Sequence, residues 1–313
     1  MRALVCGGAG FIGSHLVDRL VADGHTVTVI DDLSHGRAEN LRDAIATERC
    51  ELVKLDLADP SLLEVVLKAR PEVVFNLAAQ IDVRVSVAEP VRDALANVLG
   101  TVALLEAARQ AGARAVVLAS SVAIYGPPAT LPVTEETPVR PLSPYAVSKL
   151  AGELYLRQYH DLHGLDSTTL VLTNTYGPRQ DPHGEAGVVA IFADAMLDGR
   201  LTRVFGDGLN IRDYVYVDDV VEAFVLSAQR PGGGQRFNIA TGVATTDLDL
   251  HRTIAKAVGG APEPEFAPAR LGDLPQMVVD SSAAQRELGW APRVSLAEGL
   301  ARTVAAIRTA RAG

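Results

Sequence analysis

Apolar positions in the first half of the chain fall into short runs separated by longer helical patterns. Runs rich in β-branched residues occur at 3–5, 26–30, 51–55, 73–76 and 115–119, and helical periodicity occupies 11–22, 61–68 and 91–110. This alternation predicts a doubly wound α/β fold. Most of the runs are continuously apolar, as parallel strands covered by helices on both faces require, so the sheet is expected to be central and buried. From about residue 173 the rhythm loosens. Stretches rich in Gly, Pro and charge at 176–187, 205–213, 231–235 and 262–273 separate short elements, with one clear helix near 217–227. The expected division is a sheet domain at 1–172 and a smaller α/β lobe at 173–313, some of whose segments return to the sheet domain. No internal repeat, low-complexity tract or long linker separates the two halves.

Composition narrows the partners. A chain of 313 residues that is 48% hydrophobic has ample material for a packed core. A formal charge of −9, a pI near 5.3 and the lack of a basic run argue against nucleic acid or an anionic membrane surface as the main partner. An anionic ligand must therefore be held by local groups. Cys6 and Cys50 cannot build a disulfide framework, and no Cys/His spacing resembles a zinc site. His160 and His163, with Asp161, lack a third and fourth ligand, so no metal is expected. The N-terminus runs directly into a glycine motif, and no apolar run approaches the ~18 residues needed to span a bilayer. The expectation is a soluble, cytoplasmic protein without a membrane partner.

That motif carries the first chemistry. Gly8-Ala9-Gly10-Phe11-Ile12-Gly13 has the G-x-G-x-x-G spacing between a predicted strand and a predicted helix, with Gly7 leading into it. Gly10 lets the backbone approach a pyrophosphate whose charge the helix N-terminus stabilises, and Gly13 permits close packing of helix on sheet. Asp31, ending the second predicted strand, is placed to accept from both adenosine ribose hydroxyls. A carboxylate there repels the extra phosphate of NADP, so NAD is the expected cofactor. Asp32 is the alternative ribose partner. Asp56, after the third strand, can accept from the adenine amino group or simply serve as a helix N-terminal acid before Pro60.

Of the seven tyrosines, only Tyr145 has a lysine four residues on, Lys149, so the two share a helical face. A phenol with an ordinary pKa of about 10 is a poor base at neutral pH. A neighbouring ammonium and a positive nicotinamide ring favour the phenolate. Ser121, at the end of the fifth strand, sits where a hydroxyl can bond the same substrate oxygen, with Ser120 as competitor.

With these residues in place, the chain resembles the NAD-dependent epimerase/dehydratase family of extended short-chain dehydrogenase/reductases, on the side of the UDP-hexose 4-epimerases. Beyond the residues above, the resemblance rests on Leu77-Ala78-Ala79-Gln80, Asn97 with Gly100-Thr101, Ser120-Ser121-Val122-Ala123-Ile124-Tyr125-Gly126, Asn174-Thr175-Tyr176-Gly177-Pro178-Arg179, Gly206-Asp207-Gly208, Arg212-Asp213-Tyr214-Val215-Tyr216-Val217-Asp218-Asp219, Arg270-Leu271-Gly272-Asp273 and Leu288-Gly289-Trp290. It spans nearly the whole chain and implies a Rossmann domain with a C-terminal substrate lobe. It implies a tightly held NAD against Gly7, Gly10, Phe11, Ile12, Gly13, Asp31, Asp32, Leu33, Ser34, Gly36, Asp56, Leu57, Leu77, Ala78, Ala79, Gln80, Asn97, Ser120, Tyr145 and Lys149. Tyr145 is then the base, Lys149 lowers its pKa and binds the nicotinamide ribose, and Ser121 fixes the reacting hydroxyl. The UDP-sugar is implied to contact Arg84, Ser121, Tyr145, Thr173, Asn174, Val188, Val204, Phe205, Arg212, Arg270, Asp273 and Met277, with Phe205 beside uracil and the two arginines on the diphosphate. Guanidinium suits that task in an acidic protein. Either arginine can instead be an ion-pair partner, Arg212 to Asp213 for instance.

The implied reaction is C4 epimerisation: oxidation to a bound 4-keto sugar, rotation of that sugar, and hydride return to its other face. Val122 and Ala123 follow Ser121 where the related 4,6-dehydratases and uronate decarboxylases carry an acid, and neither residue can transfer a proton. Departures from the pattern lie around the sugar. Thr173 stands where an aromatic residue is usual, Val171 replaces an arginine, Asn76 replaces a histidine, and the adaptable Met277 occupies a position whose size limits the pocket. UDP-glucose and UDP-galactose are the first expectation, with UDP-glucuronate and UDP-N-acetylglucosamine as competitors. The readings from other classes are an NAD-binding protein without chemistry and a dehydrogenase that releases its oxidised product. The helices at 91–110 and 150–160 are implied to pair with their copies in a homodimer, forming a four-helix bundle.

Overall fold

The computed structural model describes residues 1–182, 187–230, 232–270 and 274–312. Its strands are β1 (Arg2–Cys6), β2 (Thr26–Asp31), β3 (Cys50–Lys54), β4 (Val73–Asn76), β5 (Ala115–Ser121), β6 (Asp166–Leu172), β7 (Asn174–Tyr176), β8 (Arg203–Phe205), β9 (Ile211–Arg212), β10 (Tyr214–Tyr216), β11 (Gln235–Ile239), β12 (Thr245–Thr246) and β13 (Glu265–Ala267). Its helices are α1 (Phe11–Ala22), α2 (Arg42–Ala46), α3 (Leu62–Ala69), α4 (Val83–Ala88), α5 (Pro90–Ala94), α6 (Gly100–Gln110), α7 (Pro144–His163), α8 (Val188–Leu197), α9 (Val217–Gln229), α10 (Asp247–Val258) and α11 (Leu296–Ala312).

Seven strands form one parallel sheet in the order β11-β6-β5-β4-β1-β2-β3. Alternate residues of β1 feed its two faces. Ala3 and Val5 pack with Leu16, Val17 and Leu20 of α1 and Phe224 of α9. Leu4 and Cys6 pack with Leu62 and Val66 of α3 and Leu104 and Leu105 of α6. Helices thus cover both faces, which is why these strands read as uninterrupted apolar runs. Short two-stranded pairings, β10 with β7, β12 with β9 and β13 with β8, lie outside this sheet.

Local chemistry sets the boundaries. The Ser143 side chain accepts from the Ala146 N–H and Pro144 occupies the first turn of α7, while Gly164 in the left-handed region ends it. The helical pattern at 91–110 resolves into α5, a π turn at Leu95–Leu99 and α6.

The expectation of a single clear helix after residue 173 is corrected: α8, α10 and α11 accompany α9. Seven of the ten residues of α8 are buried, so it lacks the polar stripe that marks a surface helix. In α10 the buried stripe is only Leu250, His251 and Ile254. In α11 the large buried residues are Leu300 and Val304 among Ala, Thr and Arg, too sparse a pattern to stand out. No helix among the described residues is long and apolar enough to cross a membrane.

Candidate active site

Strand order reverses between β1 and β4, so the loops that follow them diverge and open a crevice at the carboxyl edge of the sheet. Gly7 lies in that crevice with φ +75°, and a Cβ on it would lie 2.7 Å from the Ala78 nitrogen. A Cβ on Gly13 would fall 2.1 Å from the Gly7 carbonyl oxygen. Both positions therefore exclude any side chain, and Leu77 and Ala78 form the opposite wall. Gly10 caps α1 without a side-chain hydrogen bond, and no acid occupies the first helical turn. The leading N–H groups of α1 are thus offered to an anion, and the cradle fits a dinucleotide pyrophosphate.

The two aspartates after β2 have different environments. Asp31 is buried, its carboxylate accepting from the Ala9 N–H and the Leu33 N–H, each at 2.9 Å. Burial pushes its carboxyl above the ordinary range while these two donors pull it back. A Cβ on Gly36 would sit 2.6 Å from the same carboxylate, so the loop closes tightly around it. Asp32 is exposed and binds Ser34 through its backbone and hydroxyl, a local turn. Asp56 is also exposed and holds the Ala58 N–H at 2.8 Å, while Leu57 is buried.

Gln80 and Asn97 are buried and engage each other. The Gln80 N–H donates to Asn97 Oδ1, and Asn97 Nδ2 donates to the Gln80 carbonyl, to Asp93 Oδ1 and to Ser148 Oγ. Ser148 Oγ in turn donates to the Tyr145 carbonyl at 3.0 Å. These side chains tie the loop after β4 to the first turns of α7.

On α7, Tyr145 is half-buried, and the buried Lys149 Nζ lies 5.9 Å from the centre of its ring. Lys149 donates to the Ala119 carbonyl at 3.1 Å. Burial lowers its pKa to about 8, with Asp93 and Glu153 pulling the other way. The two serines ending β5 differ. Ser120 is buried and donates to Glu153, whereas Ser121 is half-buried, and its Oγ accepts the Ala123 N–H at 3.3 Å, which leaves its own proton to give.

Glu153 also accepts from both Arg236 Nε, at 2.8 Å, and Arg236 Nη2. Neither residue, nor Asp93, stood out in the sequence. The signal for Glu153 was its position four residues beyond Lys149; Arg236 carried none.

The expected sugar-nucleotide residues are less uniform. Asn174 donates through its backbone and its side-chain amide to the Asp213 carbonyl. The buried Asp213 carboxylate accepts from Thr241 N and Oγ1 and from Gly242 N, with the Val279 backbone as a further donor, so its partners are backbone and hydroxyl groups and not Arg212. Arg212 is half-buried and donates to the Ile211 carbonyl. Arg270 stacks on Phe205, with its guanidinium carbon 3.6 Å from the ring centre. Val188 is half-buried at the start of α8. Thr173 is buried, its hydroxyl donating to the Ile239 carbonyl, and Val204 lies in the main core. Met277 is buried beside Ile124, Tyr125, Val171 and Ala240. Arg84 projects from α4, highly exposed, toward Asp82. Asp273 lies outside the described residues.

The family model described as "NAD dependent epimerase/dehydratase family" matches residues 3–240. The chain is 57% identical over 305 residues to a UDP-glucose 4-epimerase of Mycolicibacterium smegmatis, covering 97% of each. Among solved structures it is similar to a UDP-glucose 4-epimerase of Thermotoga maritima with UDP-glucose (43% identity, TM-score 0.95, 99% of this chain and 100% of that one). It is also similar to the UDP-glucose 4-epimerase of Thermus thermophilus in complex with NAD (43% identity, TM-score 0.90, again 99% and 100%).

Proposed function

The chain belongs to the NAD-dependent epimerase/dehydratase family, and we propose that it inverts C4 of a UDP-hexose, with UDP-glucose and UDP-galactose as the first pair. The observation that carries this reading is the reach of Lys149 on α7 to the Ala119 carbonyl of β5, two residues before Ser121, with its ammonium 5.9 Å from the centre of the Tyr145 ring.

When bound, NAD would supply the hydride acceptance and return that inversion at C4 needs, so the protein's task is orientation. The α1 N-terminus and Gly7, Gly10 and Gly13 hold the pyrophosphate. Asp31, pre-oriented by Ala9 and Leu33, accepts from the adenosine ribose. Tyr145 Oη removes the C4 hydroxyl proton and later returns it, and the Lys149 ammonium lowers the cost of the phenolate. Ser121 donates to the same sugar oxygen, a role Ser120 cannot fill while it is turned to Glu153. Arg212 and Arg270 neutralise the diphosphate, and Asn174 contacts the sugar nucleotide. Residues 1–172 thus carry the cofactor and the base, and 173–313 mainly the nucleotide.

Val122 and Ala123 leave the ketone intermediate without a neighbouring acid for elimination at C6, which disfavours the dehydratase reading. The adaptable Met277 side chain keeps UDP-N-acetylglucosamine as the second candidate substrate, and UDP-glucuronate is the third. A side-by-side product assay of the three UDP-sugars, read as kcat/KM, tests the proposal. C4 inversion of UDP-glucose supports it. Folded, NAD-loaded protein that inverts none of them, or that accumulates NADH over many turnovers, overturns it.

A homodimer is part of the same reading. Val87, Val91, Leu95 and Leu99 form an exposed stripe at four-residue spacing, continued by Val147, Leu154 and Tyr155 of α7, with Val91 71% and Leu154 61% exposed. An apolar face of that kind fits a four-helix bundle with a second copy. Sedimentation of the Val91→Arg/Leu154→Arg variant is expected to give a monomer where the parent gives a dimer.

A further inference from the structure

Lys149 has a difficult position for a cation. Its ammonium is buried under α7 with the Ala119 carbonyl as hydrogen-bond acceptor, and burial alone favours the neutral amine. Two carboxylates oppose that loss from different elements: Asp93 on α5, and Glu153 one helical turn further along α7. Asp93 is shared with the Gln80 and Asn97 amides. Glu153, only 5% exposed, is clamped on both oxygens, by the Ser120 hydroxyl on one and by the Arg236 guanidinium of β11 on the other. Arg236 also faces the Tyr125 ring, whose hydroxyl donates to Asn238. Glu135 approaches from the other side and accepts the Asn238 N–H.

A buried ion pair of this kind adds little stability over an apolar pair of similar volume. Its position gives it another use. Without the guanidinium a carboxyl this deeply buried tends to take up a proton, and the desolvation it experiences already pushes its pKa up. Arg236 opposes that upward push with its charge and two hydrogen bonds, and Ser120, next to the carbonyl that Lys149 holds, fixes where the carboxylate sits.

We infer that Glu153, clamped by Arg236 and Ser120, is a positioning residue for the reaction: its fixed negative charge keeps the Lys149 ammonium protonated and so keeps Tyr145 a usable base. The functional half of this inference rests on the epimerase reading; the electrostatic half does not.

The test uses full-length protein carrying lysine labelled with carbon-13 at Cε. The chain has four lysines, at 54, 68, 149 and 256, and Lys149→Met assigns the signal of interest. In the parent the Lys149 signal is expected to titrate near pH 8. In Glu153→Gln that midpoint is expected to fall by about one unit or more, with the other three unmoved. The double variant Glu153→Gln/Arg236→Met, which leaves no orphaned guanidinium, is expected to show a smaller fall, because it also removes a like charge, and guards against misfolding of the single variant. Glu153→Asp should recover part of it. With the UDP-hexose that the enzyme inverts, kcat is expected to drop about ten-fold with KM nearly constant, and the alkaline limb of its pH profile to follow the amine. An unchanged Lys149 midpoint in either folded variant overturns the proposal. That titration needs no turnover, so it fails or stands separately from the assignment of the reaction.

Discussion

The Lys149 ammonium rests 3.1 Å from the Ala119 carbonyl, with the residue 8% exposed. This burial sets activity against stability. The ordinary lysine pKa of 10.5 is lowered to about 8 in the folded protein, a difference on the order of 3 kcal/mol against folding wherever both states are protonated. Lys149→Met removes that burden along with one hydrogen bond. At pH 7 the variant is expected to melt higher than the parent, while kcat falls about 100-fold or more through loss of the base's partner. The sign of the pH dependence follows. Between pH 8 and 10.5 the unfolded chain holds a proton that the folded chain has lost, so parental stability rises with pH there. Melting curves across that range should show the gap between parent and variant narrowing, and a constant gap would count against the buried cation as its cause.

Glycines in this chain separate into two groups, which predicts unequal alanine substitutions. At Gly13 a Cβ would lie 2.1 Å from the Gly7 carbonyl oxygen and 2.8 Å from the Gly8 Cα, both backbone atoms that cannot turn aside. At Gly24, φ is +82° but nothing lies within 4 Å of the added carbon. Gly24→Ala is expected to cost only the left-handed backbone term, about 1–2 kcal/mol, with NAD content unchanged. Gly13→Ala is expected to cost more and to leave the purified protein depleted of NAD, as absorbance of a denatured sample would show.

How much of this was legible in the sequence depends on the range of the interaction. The glycine cradle, Asp31 and the Tyr145–Lys149 pair are local spacings on a strand, a turn and a helix face, and residue order alone displays them. The two-faced core was legible because Leu4 and Val5, pointing to opposite sides, are both apolar. The Glu153–Arg236 contact joins residues 83 positions apart. It exists only because β11 returns to pair with β6, an edge that residue order does not announce. The same distance hid what Gln80 and Asn97 do within the protein: expected as cofactor contacts on resemblance, they also tie the loop after β4 to α7 through Ser148. Helix α8 was hidden for another reason: buried on nearly every side, it shows no amphipathic period.

Asp31 offers a test of cofactor choice. Its two oxygens are each held by a backbone N–H, from Ala9 and from Leu33, so the carboxylate is fixed before any ribose arrives. Asp31→Asn retains the shape but turns an amide donor toward one of these N–H groups. NAD affinity of the variant apoprotein is expected to fall by at least about ten-fold, the loss of one charge-assisted contact, and its preference for NAD over NADP to shrink, both by calorimetry. Asp32→Asn, altering an exposed turn, should leave both quantities near the parent's. Equal effects at the two positions would return Asp32 to consideration as the ribose partner.

Arg270 and Phe205 test the proposed nucleotide contact. The guanidinium carbon lies 3.6 Å from the ring centre, a close cation–ring contact whose planar surface the compact ammonium of lysine does not reproduce. In a protein of net charge −9, the proposed role gives such a group two jobs: bringing a positive charge to a diphosphate and presenting a planar surface next to a base. Arg270→Lys keeps the first and loses the second, whereas Arg270→Met loses both. In the proposed role neither the charge nor the plane acts on the reacting C4, so the losses are expected in binding shared by ground and transition states. KM for the UDP-sugar should rise about ten-fold in Arg270→Lys and about 100-fold in Arg270→Met, with kcat within a few-fold of the parent. Added salt should weaken binding to the parent and the lysine variant more than to the methionine variant, because only the first two retain the charge being screened. A fall in kcat at unchanged KM would instead place Arg270 in the chemical step.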